Sequence, residues 1–118
     1  MSEQETFDIV VRHLLTQGCK SYGPYEYGCM YRNRDGMKCA VGALIPDDMY
    51  DLEIEGLGAD KPTVSRILLK LGHNVALCRE LQIIHDHCCT MGWNDKLRLL
   101  AEQHGLNTAV LENTKSKS

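Results

Sequence analysis

Apolar residues return at helical spacing in four separate stretches of this chain, and a glycine closes three of them. The first, Phe7, Val10, Val11, Leu14 and Leu15, follows Ser2 and Glu5 at the spacing of a capping box and ends at Gly18. Asp60 and Pro62 mark the start of the second, whose stripe is Val64, Ile67, Leu68 and Leu71 before Gly72. Asn74 is placed to cap the third, with Leu77, Cys78, Leu81, Ile84 and His85 or Cys88 on its buried face. The fourth starts at Asn94 after Trp93, carries Leu97, Leu100 and Ala101, and stops at Gly105; Leu106, Val110 and Leu111 are expected to fold back as a closing segment. Each stripe needs a partner to cover it. With 118 residues, 43% of them hydrophobic, they make one domain, and a chain this long hides ~65% of its unfolded surface without a metal or disulfide. Residues 1–111 are expected to form that domain, and the polar stretch 112–118 to fray as a flexible tail.

Residues 19–38 carry no such stripe. Tyr22, Tyr25, Tyr27 and Tyr31 sit among glycines and one proline, and Asn33-Arg-Asp-Gly36 reads as a turn. Short strands near 28–32 and 36–39 would form a hairpin around it. The apolar run from Cys39 to Ile45 is too short for periodicity to decide; its alanines and leucine favour a buried short helix over the tail of the second strand. From Asp47 to Asp60 the chain has six acids and no base, with Gly56 and Gly58 inside, and reads as a loop. The fold expected is α+β and mainly helical, four or five packed helices beside one small β-hairpin.

Charge and cysteine content narrow the function. Thirteen Lys and Arg against sixteen Asp and Glu give a net charge of -3, which speaks against bulk capture of nucleic acid or anionic lipid. No apolar run approaches the length of a membrane span, and the start of the chain is acidic and polar where an export signal would be basic and then hydrophobic. A cytoplasmic protein with six reduced thiols is the expectation.

The segments Cys29-Met-Tyr-Arg32, Gly36-Met-Lys-Cys-Ala-Val-Gly-Ala-Leu-Ile-Pro-Asp-Asp-Met-Tyr50 and Leu52-Glu-Ile-Glu-Gly56 resemble an uncharacterised family of small proteins encoded by bacteria, prophages and bacteriophages. His13-Leu-Leu-Thr-Gln17, Leu81-Gln-Ile-Ile-His-Asp86, Trp93 and Gly105-Leu-Asn-Thr-Ala-Val110 extend the likeness over most of the chain, while His87-Cys-Cys89 departs from it. The resemblance implies a bacterial or phage cytosolic protein and brings no activity with it.

Four groups of residues could carry function. All five tyrosines lie between 22 and 50, and Arg32, Arg34 and Lys38 interleave with them. Tyr22, Tyr25, Tyr27, Tyr31, Arg32, Arg34 and Lys38 are therefore the candidate binding residues, flat faces beside forked donors, in a hairpin that anchors Tyr31 and presents Arg32. The alternative is that the arginines solvate the turn or pair with the acidic loop. His85-Asp-His-Cys-Cys89 is the densest set of metal-ligand types, and Cys29 and Cys39 could add to it, but Cys19, Cys29 and Cys39 are nine residues apart rather than the two to four of a zinc knuckle. Buried thiols and a hydrogen-bonded core histidine explain the same residues, and no metal or other cofactor is expected. Cys39 with His85 as base would make a thiol enzyme, yet Asp86 adjoins His85 on a helix, where neighbours point ~100° apart. The acidic stretch lacks the order of an EF-hand loop. No phosphate loop, dinucleotide glycine pattern or His-Glu-x-x-His motif is present.

These readings support a non-catalytic binding protein that occupies a host protein, to blunt a defence system or redirect host machinery. A nucleotide or phosphorylated-signal module, with a tyrosine stacking the base and the hairpin cations on phosphate, is the second class. A thiol or metal enzyme on Cys39 and His85 is the third.

Overall fold

Ser2 opens the first helix, α1 (Glu3–Gln17), by accepting the Glu5 amide on its hydroxyl, and Gly18 closes it in the left-handed region at φ 71°. The computed structural model describes residues 2–22, 29–87 and 90–113. Four more helices follow: α2 (Pro62–Lys70), α3 (Val75–His87), α4 (Trp93–His104) and α5 (Ala109–Asn113). Pro62 stands in the first turn of α2, behind Lys61 rather than Asp60 as the cap. Asn74 caps α3 through the Leu77 amide, 3.1 Å from its Oδ1. Gly105 ends α4 at φ 66°, and the chain then folds back so that Val110 and Leu111 are buried.

The apolar stripes face one another. α1 packs on α3 and α5, and α3 lies between α4 and α2. Phe7, Val10, Leu14, Leu68, Leu77, Leu81, Trp93 and Leu97 are all at most 1% exposed. Each such side chain contributes about 1.5–3 kcal/mol relative to leaving it in water. Trp93 is the first residue of α4 rather than its preface, so its ring enters the core beneath α3 and stacks on His85 at 5.7 Å between centroids.

The expected α+β class is not what forms: among the described residues there is no β-strand, and the molecule is helical. The turn at Asn33–Gly36 is present. Asn33 Oδ1 accepts the amides of Asp35 and Met37, Gly36 has φ 80°, and a single antiparallel bridge joins Arg32 to Lys38. Pairing stops there because the Tyr31 amide, the donor that would bond the Cys39 carbonyl, goes to Glu55, and that carbonyl accepts the Ala43 amide instead. Met30 gives its amide to the Ser21 carbonyl, and Tyr31 and Arg32 give theirs to the two carboxylate oxygens of Glu55. A second isolated bridge, Tyr22 to Cys29, marks the crossing of the 21–22 segment.

Beyond Cys39 the chain makes one 3-10 turn, Gly42–Leu44, rather than a longer helix. A β-carbon on Gly42 would stand 2.0 Å from the Tyr31 carbonyl oxygen, so the turn rests directly on the Tyr31 backbone. The acidic stretch is also more ordered than a loop. It holds 3-10 turns at Asp47–Met49 and Leu52–Ile54, and Ile54 is buried in the core.

Candidate functional site

Between the 29–31 segment, the Gly56–Gly58 bend and the C-terminal half of α3 lies a cleft of about 460 Å³. Cys29, Tyr31, Gly56, Leu57, Gly58, Gln82, Asp86 and His87 line it. Tyr31 forms its wall from below: the ring is 5% exposed and the hydroxyl donates to the Leu57 carbonyl. Burial, with Cys39 and the charges of Asp86 and Glu55 adding to it, pushes that phenol well above its ordinary range. Gln82 is spent on both ends, accepting the Val41 amide and donating to Asp86 at 2.7 Å.

His85 sits under the cleft, fully buried, and both of its ring nitrogens are engaged. The Ser21 amide points at Nε2 at 3.1 Å, and a backbone N–H can only donate. Nε2 must therefore be the acceptor, which places the proton on Nδ1, where Asp86 Oδ1 receives it at 2.7 Å. Sequential neighbours on a helix were expected to point apart; instead the short Asp86 side chain folds back across one residue to reach Nδ1, held there by Gln82 one turn earlier.

That tautomer decides the chemistry. One ligand atom each from Cys29, His85 and Asp86 falls within 4.8 Å of the others, near enough for the three to share one metal ion. For His85 to ligate, however, Nε2 must give up Ser21 or Nδ1 must lose its proton while Nε2 still faces a donor. Cys29 is held in its thiol form by burial and by the nearby Asp86 charge, both of which push its pKa up. Cys39 is fully buried and its thiol is raised strongly by that burial, far from the activated state a nucleophile needs. The other cysteines of the described residues, Cys19 and Cys78, are free, with Cys78 buried. Cys88 and Cys89, the remainder of the His-Cys run, lie outside the described residues.

The candidate binding residues do not form one face. Tyr25 and Tyr27 lie outside the described residues, and Tyr31 is core. Arg32, expected to be presented to a ligand, is drawn inward. Its Nη2 donates to the Ile45 carbonyl at 2.9 Å, Nη1 meets Asp47 at 2.7 Å, and the guanidinium lies 4.7 Å over the Tyr50 ring. Tyr50 in turn donates to Glu55 at 2.6 Å, and burial beside that carboxylate pushes its pKa up to about 12. Glu55 thus holds two amides and a phenol, and with Arg32 it staples the 29–32 segment to the acidic stretch. Lys38 is half-buried, its backbone bound to Gln17 and His13 of α1.

Tyr22 and Arg34 remain outside. Tyr22 is 63% exposed, and its carbonyl accepts the Asn33 side-chain amide at 3.0 Å, which ties it to the turn that carries exposed Arg34 and Asp35. Among the described residues lining the cleft there is no Lys or Arg, but Lys20 reaches its Asp86 end and donates to the Asp86 carbonyl at 3.2 Å. Gln82, Glu55 and the Gly56–Gly58 bend did not stand out in the sequence; only the Gln82 to Asp86 spacing, one helical turn, hinted at a shared site. Searches of protein-family profiles, of characterised proteins and of solved structures return no match to this chain.

Proposed function

We propose that the chain is a non-catalytic binding domain that occupies a protein of a bacterial host, with Tyr22 and Arg34 at the exposed end of the 22–38 segment as its contact residues. The observation that carries the reading is a division of labour. The groups able to do chemistry are committed inside: both nitrogens of His85, the Asp86 carboxylate, the buried Cys39 thiol and the Arg32 fork. Among the described residues, the side chains of Tyr22 and Arg34 show no comparable commitment; both are exposed, and the Tyr22 carbonyl is tied to Asn33, the residue before Arg34. Tyrosine and arginine are the side chains that protein interfaces favour, one for area at low entropy cost and the other for planar donors. The resemblance of the Cys29 to Gly56 blocks to small bacterial, phage and prophage proteins is the reason for looking for the partner in a bacterial host; it carries no activity of its own.

The phosphate-binding alternative is less well supported, because the described lining of the cleft presents the Asp86 carboxylate, and the nearby Lys20 ammonium is engaged by the Asp86 carbonyl. Affinity capture from bacterial lysate tests the proposal, using the wild type, a Tyr22→Ala/Arg34→Ala double variant and a Cys29→Ser variant at the cleft. A host protein held at one-to-one stoichiometry by the wild type and by Cys29→Ser, and lost from the double variant, is the expected result. Capture that survives the double variant but fails with Cys29→Ser would move the site to the cleft.

A further inference from the structure

The outer face of α3 and α4 carries a feature unrelated to that surface. The two helices run antiparallel: His104 at the end of α4 reaches Glu80 in the first half of α3, while Trp93 at the start of α4 stacks on His85 near the end of α3. Between them runs a shallow groove of about 220 Å³ whose floor is Ile83, Ile84, Leu99 and Leu100. Ile83 and Leu99 are 45% and 49% exposed, although each belongs to a helix whose other face already supplies the core. Glu80 lies at one end of the groove, with its Oε2 on His104 at 2.6 Å, and Lys96 lies at the other; both are exposed. Read along the helices, the face is acidic, apolar, basic.

We propose that this face binds a second copy of the same chain about a two-fold axis through the Ile83 and Leu99 contact. An isologous interface brings each residue of the patch against its reverse, so a pattern with opposite charges at its two ends and an apolar centre is complementary to itself. Glu80 of one copy then meets Lys96 of the other at both ends, and Ile83 and Leu99 close on their counterparts over the already buried Ile84 and Leu100. The size of the face sets the strength. Helices of 13 and 12 residues span about 20 Å and present about 20 Å of width, on the order of 400 Å² per copy. That is below the roughly 800 Å² per partner of a standard interface. The dimer is therefore weak and dependent on concentration.

Sedimentation velocity of the full chain over a concentration series tests this. The wild type is expected to move from the 13.3 kDa monomer toward twice that mass as concentration rises, and Leu99→Glu to remain a monomer throughout. Lys96→Glu should weaken association at least tenfold, and adding Glu80→Lys to it should restore the pairing with the charges exchanged. Circular dichroism melts show that the variants are folded, and Ile83→Glu, on the other helix, replaces Leu99→Glu if that variant is not. A wild type that stays monomeric to about millimolar concentration, association unchanged in both glutamate variants, or no recovery in the exchanged pair would overturn the proposal.

Discussion

Glu55 does for the non-helical part of the molecule what caps do for the helices. Its carboxylate receives the amides of Tyr31 and Arg32 and the hydroxyl of Tyr50, so three donors on two segments depend on one side chain. Removing it leaves amides unpaired in a partly buried place, each worth about 1–3 kcal/mol. Glu55→Ala is therefore expected to destabilise by about 2–4 kcal/mol in urea denaturation, far more than an exposed glutamate in a loop would, and a change within ~0.5 kcal/mol would show the staple to be ornamental. A second residue couples the fold to pH. His104, in the last turn of α4, lies 2.6 Å from Glu80 and 3.4 Å from Glu3, and the hydrogen bond to Glu80 leads the effects that raise its pKa. A raised folded-state pKa gives stability that is fully present below the unfolded value of about 6.5 and is lost as pH climbs through the folded one. His13 and His73 work in the opposite sense. Burial lowers both, so their contribution is present above about pH 6.5 and lost as pH falls. The stability difference between wild type and His104→Gln should accordingly be larger near pH 6 than near pH 9, and a difference independent of pH would contradict the ion-paired geometry.

At the scale of elements, the helices were legible because each rests on local chemistry that the sequence displays. The Ser2 cap, the Pro62 start, the Asn74 cap and the left-handed Gly18 and Gly105 stops sit at or within a residue of the places expected. The hairpin was misread for a non-local reason. Tyrosines favour strands and the Asn33–Gly36 turn forms, but whether a ladder extends depends on who takes the next amide, that of Tyr31, and the taker is Glu55, twenty-four residues away. For Arg32 the alternative reading, pairing with the acidic stretch, is the one that forms, through Asp47, while its contacts with Ile45 and Tyr50 were hidden by the same separation. The cleft was invisible for this reason too, since it is assembled from Cys29, the 56–58 bend and α3. The run from Cys39 to Ile45 is compressed into one turn against the Tyr31 carbonyl, and only glycine at 42 leaves room for that approach. Gly42→Ala should cost about 3 kcal/mol or more, because the obstruction is backbone and cannot rotate away. A melting temperature equal to that of the wild type would mean the turn is not seated as described.

For the whole molecule, the consequence is a helical body that holds one irregular segment rigid by internal polar bonds and leaves its end exposed. No helix among the described residues is long and apolar enough to cross a membrane. The two arginines two positions apart separate the structural from the available part of that segment more cleanly than any other pair. Arg32 is wedged between the Ile45 carbonyl, Asp47 and the Tyr50 ring, whereas Arg34 is in solvent at the turn. The ion pair to exposed Asp47 is worth little, but the charged hydrogen bond to a carbonyl and the contact with Tyr50 are not. Urea denaturation of Arg32→Ala and Arg34→Ala side by side is the most direct test. Arg32→Ala is predicted to lose about 1–3 kcal/mol and Arg34→Ala to stay within ~0.5 kcal/mol of the wild type. Equal losses, or the larger loss at Arg34, would contradict the division between an internal staple and an exposed contact residue.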